Sequence, residues 1–146
     1  MTNKLEMKIS AMLENEGVVR NAIASFVSSY NPTLEEIIDI KTILSEAVSN
    51  AIIHGYEFDK EKEVYVKATI NDQQLEIIVQ DYGKGIEDIK QALQTNFSTQ
   101  KEQEKTGIGF TIIRSLSDHF EIQSSVNVGT KLKIIKILQM DAIKAN

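Results

Sequence analysis

The sequence predicts an α+β chain, a two-layer sandwich in which helices cover one mainly antiparallel sheet. Three observations carry this. Several short stretches alternate apolar and polar residues with the period of a half-buried strand. Longer stretches repeat their apolar residues at helical spacing. The strand-like stretches of the second half come in neighbouring pairs joined by short turns, so the order reads strand, two helices, hairpin, short helix, polar loop, helix, hairpin. Hairpins kept apart from helices favour a helical layer over an antiparallel sheet. With 146 residues, no repeat and no break in composition, one domain spanning 1–146 is expected.

The elements follow in order. Leu5, Met7, Ile9 and Ala11 alternate with polar partners as a strand would. From Leu13 to Tyr30 the period changes, and Val18, Val19, Ala22, Ile23, Phe26 and Val27 form a helical stripe with Arg20 off it and expected to be exposed. Asn31-Pro32-Thr33 breaks this helix, and Thr33-Leu34-Glu35-Glu36 matches a capping box that starts the next. That second helix runs through His54, with an apolar surface broad enough to be packed on more than one side. Gly55 is expected to stop it in a left-handed conformation. Val64 to Ile70 and Leu75 to Gln80 read as a hairpin about Asn71-Asp72, followed by a short helix around Asp88 to Leu93. Gln94 to Thr106 is polar, lacks periodicity and is expected to be mobile. Gly107-Ile108-Gly109-Phe110 is expected to open a helix to Asp118, and Phe120 to Val126 pairs with Thr130 to Leu138 as a last hairpin before a frayed tail from Gln139.

Composition excludes several classes of function. A net charge of −5 and no basic stripe argue against a nucleic-acid surface. Without cysteine there are no disulfides or thiolate metal sites. No apolar run reaches the ~18–20 residues of a membrane span, and the N-terminus lacks the apolar core of a secretion signal, so a cytoplasmic setting is expected.

Three local patterns carry the chemistry. Glu46 and Asn50 lie four residues apart among small and apolar residues, which puts a carboxylate and a carboxamide on one helix face. Taken alone, they could simply satisfy each other or nearby backbone. Asp81-Tyr82-Gly83-Lys84-Gly85-Ile86 directly follows a hydrophobic strand. It is either a plain turn or a place where a flat ring lies against backbone while Asp81 accepts a hydrogen bond from an exocyclic amine. Gly107-x-Gly109 before a helix is either a hinge or an anion site of free N–H groups. It has neither the third glycine of a dinucleotide fingerprint nor the Gly-Lys-Ser/Thr of a P-loop. Joined, the patterns describe a nucleotide site in which Asp81 takes the base, Gly83 and Gly85 its plane, and Gly107 to Phe110 the phosphates. Asn50 would offer an oxygen to Mg²⁺, and Glu46 would accept a proton from the attacking nucleophile.

Glu46-x-x-x-Asn50, Asp81-x-Gly83-x-Gly85-Ile86 and Gly107-x-Gly109-Phe110, in this order and spacing, resemble the GHKL ATPase/kinase superfamily, whose ATP-binding domain is the Bergerat fold. Within it the chain resembles the small anti-sigma factor serine kinases. The run Glu46 to Tyr56 is most similar to their sporulation branch, which acts on sigma factor F, with a general-stress type as the alternative. The resemblance extends from about Lys8 to Lys136. It implies an ATP/ADP-binding homodimer that inhibits sigma factor F and phosphorylates a serine of an anti-anti-sigma partner. It implies Glu46 as catalytic base, Asn50 as magnesium ligand and Asp81 on adenine, with Thr130 supporting the adenine end. Ile86, Thr99, Lys105 and Ile108 fall on positions that line the nucleotide, and Arg20 on a partner-facing arginine. Two departures stand out. Ser98-Thr99-Gln100 replaces the usual Thr-Thr-Lys, leaving Lys101 or Lys105 to reach phosphate, and Glu87 replaces the proline usual after Gly-x-Gly-Ile.

Two rivals differ in class. A detached histidine-kinase ATPase domain would need a phosphoacceptor histidine, but neither His54 nor His119 lies in a helical-hairpin dimerisation segment. A pure nucleotide-dependent binding module would have no use for a base at Glu46.

Overall fold

A computed structural model describes residues 2–93 and 101–139, with backbone alone for 101–108. The expected mobility of 94–100 and fraying of 140–146 therefore lie outside the described residues.

The chain runs β1 (Thr2–Ser10), a 3₁₀ turn (Leu13–Asn15), α1 (Glu16–Ser28), α2 (Leu34–Asn50), a π-helical turn (Ala51–Gly55), β2 (Glu63–Asn71) and β3 (Gln74–Asp81). Then follow α3 (Ile89–Ala92), α4 (Lys101–Leu116), β4 (His119–Ser125) and β5 (Gly129–Ile137). The five strands form one antiparallel sheet in the order β1-β2-β3-β5-β4, and α1, α2 and α4 pack over one face. The α+β sandwich expected from the element order is the one observed.

Local chemistry explains where the elements start. Thr33 Oγ1 accepts the Glu36 N–H at 3.1 Å while the Glu36 carboxylate accepts the Thr33 N–H at 2.9 Å, so the capping box is complete. The second Glu36 oxygen accepts the N–H of Gln139 at 2.6 Å, tying the end of the last strand to the start of α2. Asp72 takes a positive φ of 54° in the tight turn between β2 and β3.

The register lays residues across the sheet in rows. Met7, Val66, Val79, Leu132 and Ile122 are neighbours on the helix-covered face, with the middle three buried and the outer two half-buried. Ile40, Ile43, Leu44, Val48 and Ile52 of α2 and its extension pack into the same core. Two residues further along, the apolar row gives way to Asp81, Thr130 and Ser124. Side chains alternate faces with period two, so this polar row stays under the helices, at one end of the sheet.

Four expectations need correction. Val18 is 59% exposed, and α1 buries Val19, Ile23, Ala24 and Val27 instead. α2 does meet both α1 and α4, but Leu34 and Ile38 face outward near its start. Gly55 is not left-handed; the positive φ angles after α2 belong to Glu57 and Phe58. Finally, α4 begins at Lys101 rather than Gly107. Lys101-Glu102-Gln103-Glu104-Lys105 are good helix formers, and they carry the helix upstream of the glycines. Among the described residues no helix is long and apolar enough to cross a membrane.

Candidate functional site

The end of α2, the turn after β3 and the β4–β5 hairpin meet around a cleft of about 670 Å³. Asn50, Asp81, Gly85, Ile86, Phe110 and Thr130 all line it. Each of these stands out in the sequence, although they come from four separate stretches.

Glycines let these stretches approach. A Cβ on Gly55 would stand 2.7 Å from the Asp81 carboxylate, and one on Gly83 only 2.0 Å from the Gly55 carbonyl oxygen. Gly55 is thus required by close contact, not by its own φ. Gly85, at φ +75°, could carry no side chain without meeting the Ser125 carbonyl at 2.2 Å. Hydrogen bonds lock the same parts together. The Lys84 N–H donates to the Gly55 carbonyl at 3.0 Å, and the Asn127 N–H to the Lys84 carbonyl at 2.8 Å. The Tyr56 hydroxyl donates to the Glu63 carbonyl at 2.7 Å and accepts the Tyr82 N–H at 2.8 Å. The turn after β3 is therefore a rigid wall.

Asp81 is buried in that wall, 5% exposed, and its Oδ1 accepts the Gly83 N–H at 2.9 Å. Burial pushes its carboxyl up to about 6, while the backbone N–H groups of Gly83 and Thr130 pull it back. Near neutral pH it is ionised, an acceptor at the closed end of the cleft.

Glu46 and Asn50 lie on the neighbouring face of α2, opposite Gly109 of α4. A Cβ on Gly109 would be 2.9 Å from Asn50 Nδ2 and 3.0 Å from Glu46 Oε2, so both side chains converge on one point of the α4 backbone. Among the described residues Asn50 Nδ2 is buried without a hydrogen-bond partner, so the two do not simply satisfy each other. Asn50 also stands immediately before the π-helical turn, a helix form that recurs at functional sites. Burial, and then the negative charge of Glu16, raise the Glu46 carboxyl above its ordinary range. Glu16 is held by α2 itself, because Ser45 Oγ donates to its Oε1 at 2.9 Å. Its Oε2 lies 3.3 Å from Arg20 Nε, so Arg20 is half-exposed and paired with Glu16 rather than simply extended into solvent.

The phosphate end differs from expectation. Gly107 to Phe110 sit inside α4, where backbone N–H groups bond to carbonyls four residues earlier, so no cluster of free N–H groups exists there. Phe110 instead fills the cleft wall and packs against Phe120 at a ring separation of 6.1 Å. Thr99, proposed to line the nucleotide, lies outside the described residues, as do the side chains of Lys101, Lys105 and Ile108.

Sequence reasoning missed Gly129 and Ser124. Gly129 takes φ +140°, and a Cβ there would meet the Asp81 carbonyl at 2.1 Å. The Val128-Gly129 turn signal could have flagged it, whereas nothing near Ser124 in the chain announces its contacts.

The cleft suits a nucleotide: it is roomy, lined by the buried acceptor Asp81 and by the bare backbone of Gly85, and bordered by the Asn50 side chain. Among the described residues no three acidic, histidine or cysteine side chains gather to hold a metal unaided. Asn50, which lines the cleft, is the residue that would hold Mg²⁺, an ion that takes few protein ligands beside phosphate oxygens.

The chain also resembles known proteins along nearly its whole length. Residues 9–136 match the histidine kinase-like ATPase domain family. The anti-sigma F factor of Anoxybacillus flavithermus is 44% identical over 94% of each chain. That of Bacillus subtilis is 40% identical over the full length of both. Among solved structures, the RsbU and RsbW domains of a Mycobacterium tuberculosis protein superpose with a TM-score of 0.68 at 20% identity, covering 93% of this chain and 32% of that one. The chain belongs to the histidine kinase-like ATPase domain family and, within it, to the anti-sigma F factors.

Proposed function

We propose that this protein is an ATP-dependent serine kinase that also sequesters a sigma factor. It binds ATP or ADP in the cleft, phosphorylates a serine of an anti-anti-sigma partner, and holds sigma factor F from its polymerase. One observation carries the reading: Glu46 and Asn50 converge beside a cleft whose far end is the buried acceptor Asp81.

The adenine amine donates to Asp81, and the ring lies against the bare backbone of Gly85, while Gly83, packed on Gly55, supports that turn from behind. This holds the triphosphate toward α2. Asn50 would offer its side-chain oxygen to Mg²⁺, which when bound would neutralise charge on the phosphates. Glu46 accepts the proton of the partner's serine as that oxygen bonds to the γ-phosphorus. The bond to the β-phosphate oxygen breaks, and its electron pair leaves with ADP. A carboxyl raised above its usual range is a better base near neutral pH, which favours Glu46 in this role. Arg20, half-exposed beside Glu16, offers the partner a guanidinium. The uncovered edge of β1 suits pairing with a second copy, giving a homodimer. The acidic chain and the names of its relatives support action on proteins rather than on nucleic acid.

The test is incubation with γ-labelled ATP, sigma factor F and an anti-anti-sigma protein. Label is expected on a serine of the latter, and Glu46→Gln should lower transfer by ~10²–10⁴ while nucleotide binding persists. Transfer that survives the substitution intact removes Glu46 from the mechanism.

A further inference from the structure

Ser124 on β4 makes three contacts that together fix the direction of a hydrogen bond in the cleft. Its Oγ lies 2.8 Å from the Ile86 N–H, 3.0 Å from the Gly129 carbonyl oxygen and 2.8 Å from Thr130 Oγ1. Ile86 can only donate, so Ser124 accepts there. The Gly129 carbonyl can only accept, so the single Ser124 proton goes to it. Thr130 must then donate its own proton to Ser124. The reverse choice would leave two oxygens 3.0 Å apart with no proton between them. Thr130 lines the cleft, and with its proton spent it turns only lone pairs to a ligand. Its register partner across the sheet is Asp81, another acceptor.

We infer that Ser124 is a specificity-setting positioning residue. By taking the Thr130 proton it leaves Thr130, like its register partner Asp81, able only to accept, and two acceptors facing the 6-position favour a purine with a 6-amino group over one with a 6-oxo group. The inference rests on the nucleotide reading above and deepens it. Ser124 does not touch the base; it acts through Thr130 and also pins the Gly85-Ile86 turn through the Ile86 N–H.

The probes are ADP and IDP, which differ at the 6-position, titrated calorimetrically into the full chain. The unmodified protein is expected to favour ADP. Ser124→Ala frees the Thr130 proton to meet a 6-oxo group, so the ADP:IDP affinity ratio should narrow by ~10-fold, the scale of one mismatched buried polar contact. Ser124→Thr keeps a hydroxyl and should restore the ratio. A purely structural role would weaken both ligands equally and leave the ratio unchanged, which overturns the inference. Should Ser124→Ala fail to fold, Thr130→Val removes the same lone pairs and must also narrow the ratio, and an unchanged ratio there overturns it as well. If the unmodified protein binds neither ligand, the nucleotide reading falls and takes this inference with it. ADP binding with an unmoved ratio sinks the inference alone.

Discussion

Gly55, at the end of the π-helical turn after α2, lies so close to Asp81 at the end of β3 that a side-chain carbon on the glycine would stand 2.7 Å from both carboxylate oxygens. Helix end and acceptor are thus one unit. Gly55→Ala should force Asp81 or the π-helical turn aside, costing ~1–3 kcal/mol as other overpacked sites do. ADP affinity should fall at least ~10-fold, since a displaced acceptor loses its hydrogen bond. Thermal unfolding and calorimetry check this, and an alanine variant with unaltered affinity would show that the contact does not govern binding.

Asp81 makes binding depend on pH. Its folded value of about 6 means that nucleotide affinity should decline as pH falls through 6, when the acceptor becomes protonated. Stability should move the opposite way. The folded pKa is raised above the ordinary 3.8, so the contribution of this carboxyl is full below that value and lost as pH rises through about 6. Asp81→Asn should flatten the stability profile between those limits. A pH series of unfolding curves on both proteins tests the sign.

Much of this was legible in the sequence because its determinants are local. The Glu46/Asn50 spacing, the Thr33/Glu36 cap and the turn at Asp72 each depend on residues within four positions of one another. What escaped depends on distance. The helical run does end at Gly55, but the close contact that requires glycine there is not legible, because its partner, Asp81, is remote in the chain. Ser124 gains its role from Ile86, which is 38 residues away. The start of α4 was misplaced for a different reason: Lys101 to Lys105 lack an apolar period, so intrinsic helix propensity was the sole signal and was outweighed by the glycines. Val18 was assigned to the buried stripe by spacing alone, while α1 turns a narrower face to the core.

Asn50→Ala should weaken ATP binding in the presence of magnesium more than in its absence. Its Nδ2 has no partner to lose among the described residues, so stability should change by less than ~1 kcal/mol. Calorimetry with and without magnesium separates the two, and equal losses in both would indicate a folding defect.

The Glu46 carboxyl, raised by burial and by Glu16, should place the acid limb of phosphoryl transfer above the ordinary glutamate range of 4.5. Removing the neighbouring negative charge lowers that pKa, so Glu16→Gln should move the limb to lower pH. A pH–rate profile in which the limb stays put would mean that Glu16 does not tune the base.

The account turns on an adenine nucleotide occupying this cleft with its phosphates toward α2. A crystal structure with magnesium and a non-hydrolysable ATP analogue tests that most directly. The base is expected within hydrogen-bonding distance of Asp81, and the terminal phosphate beside Glu46 and Asn50. A nucleotide bound elsewhere, or one whose phosphates point away from that pair, would contradict it.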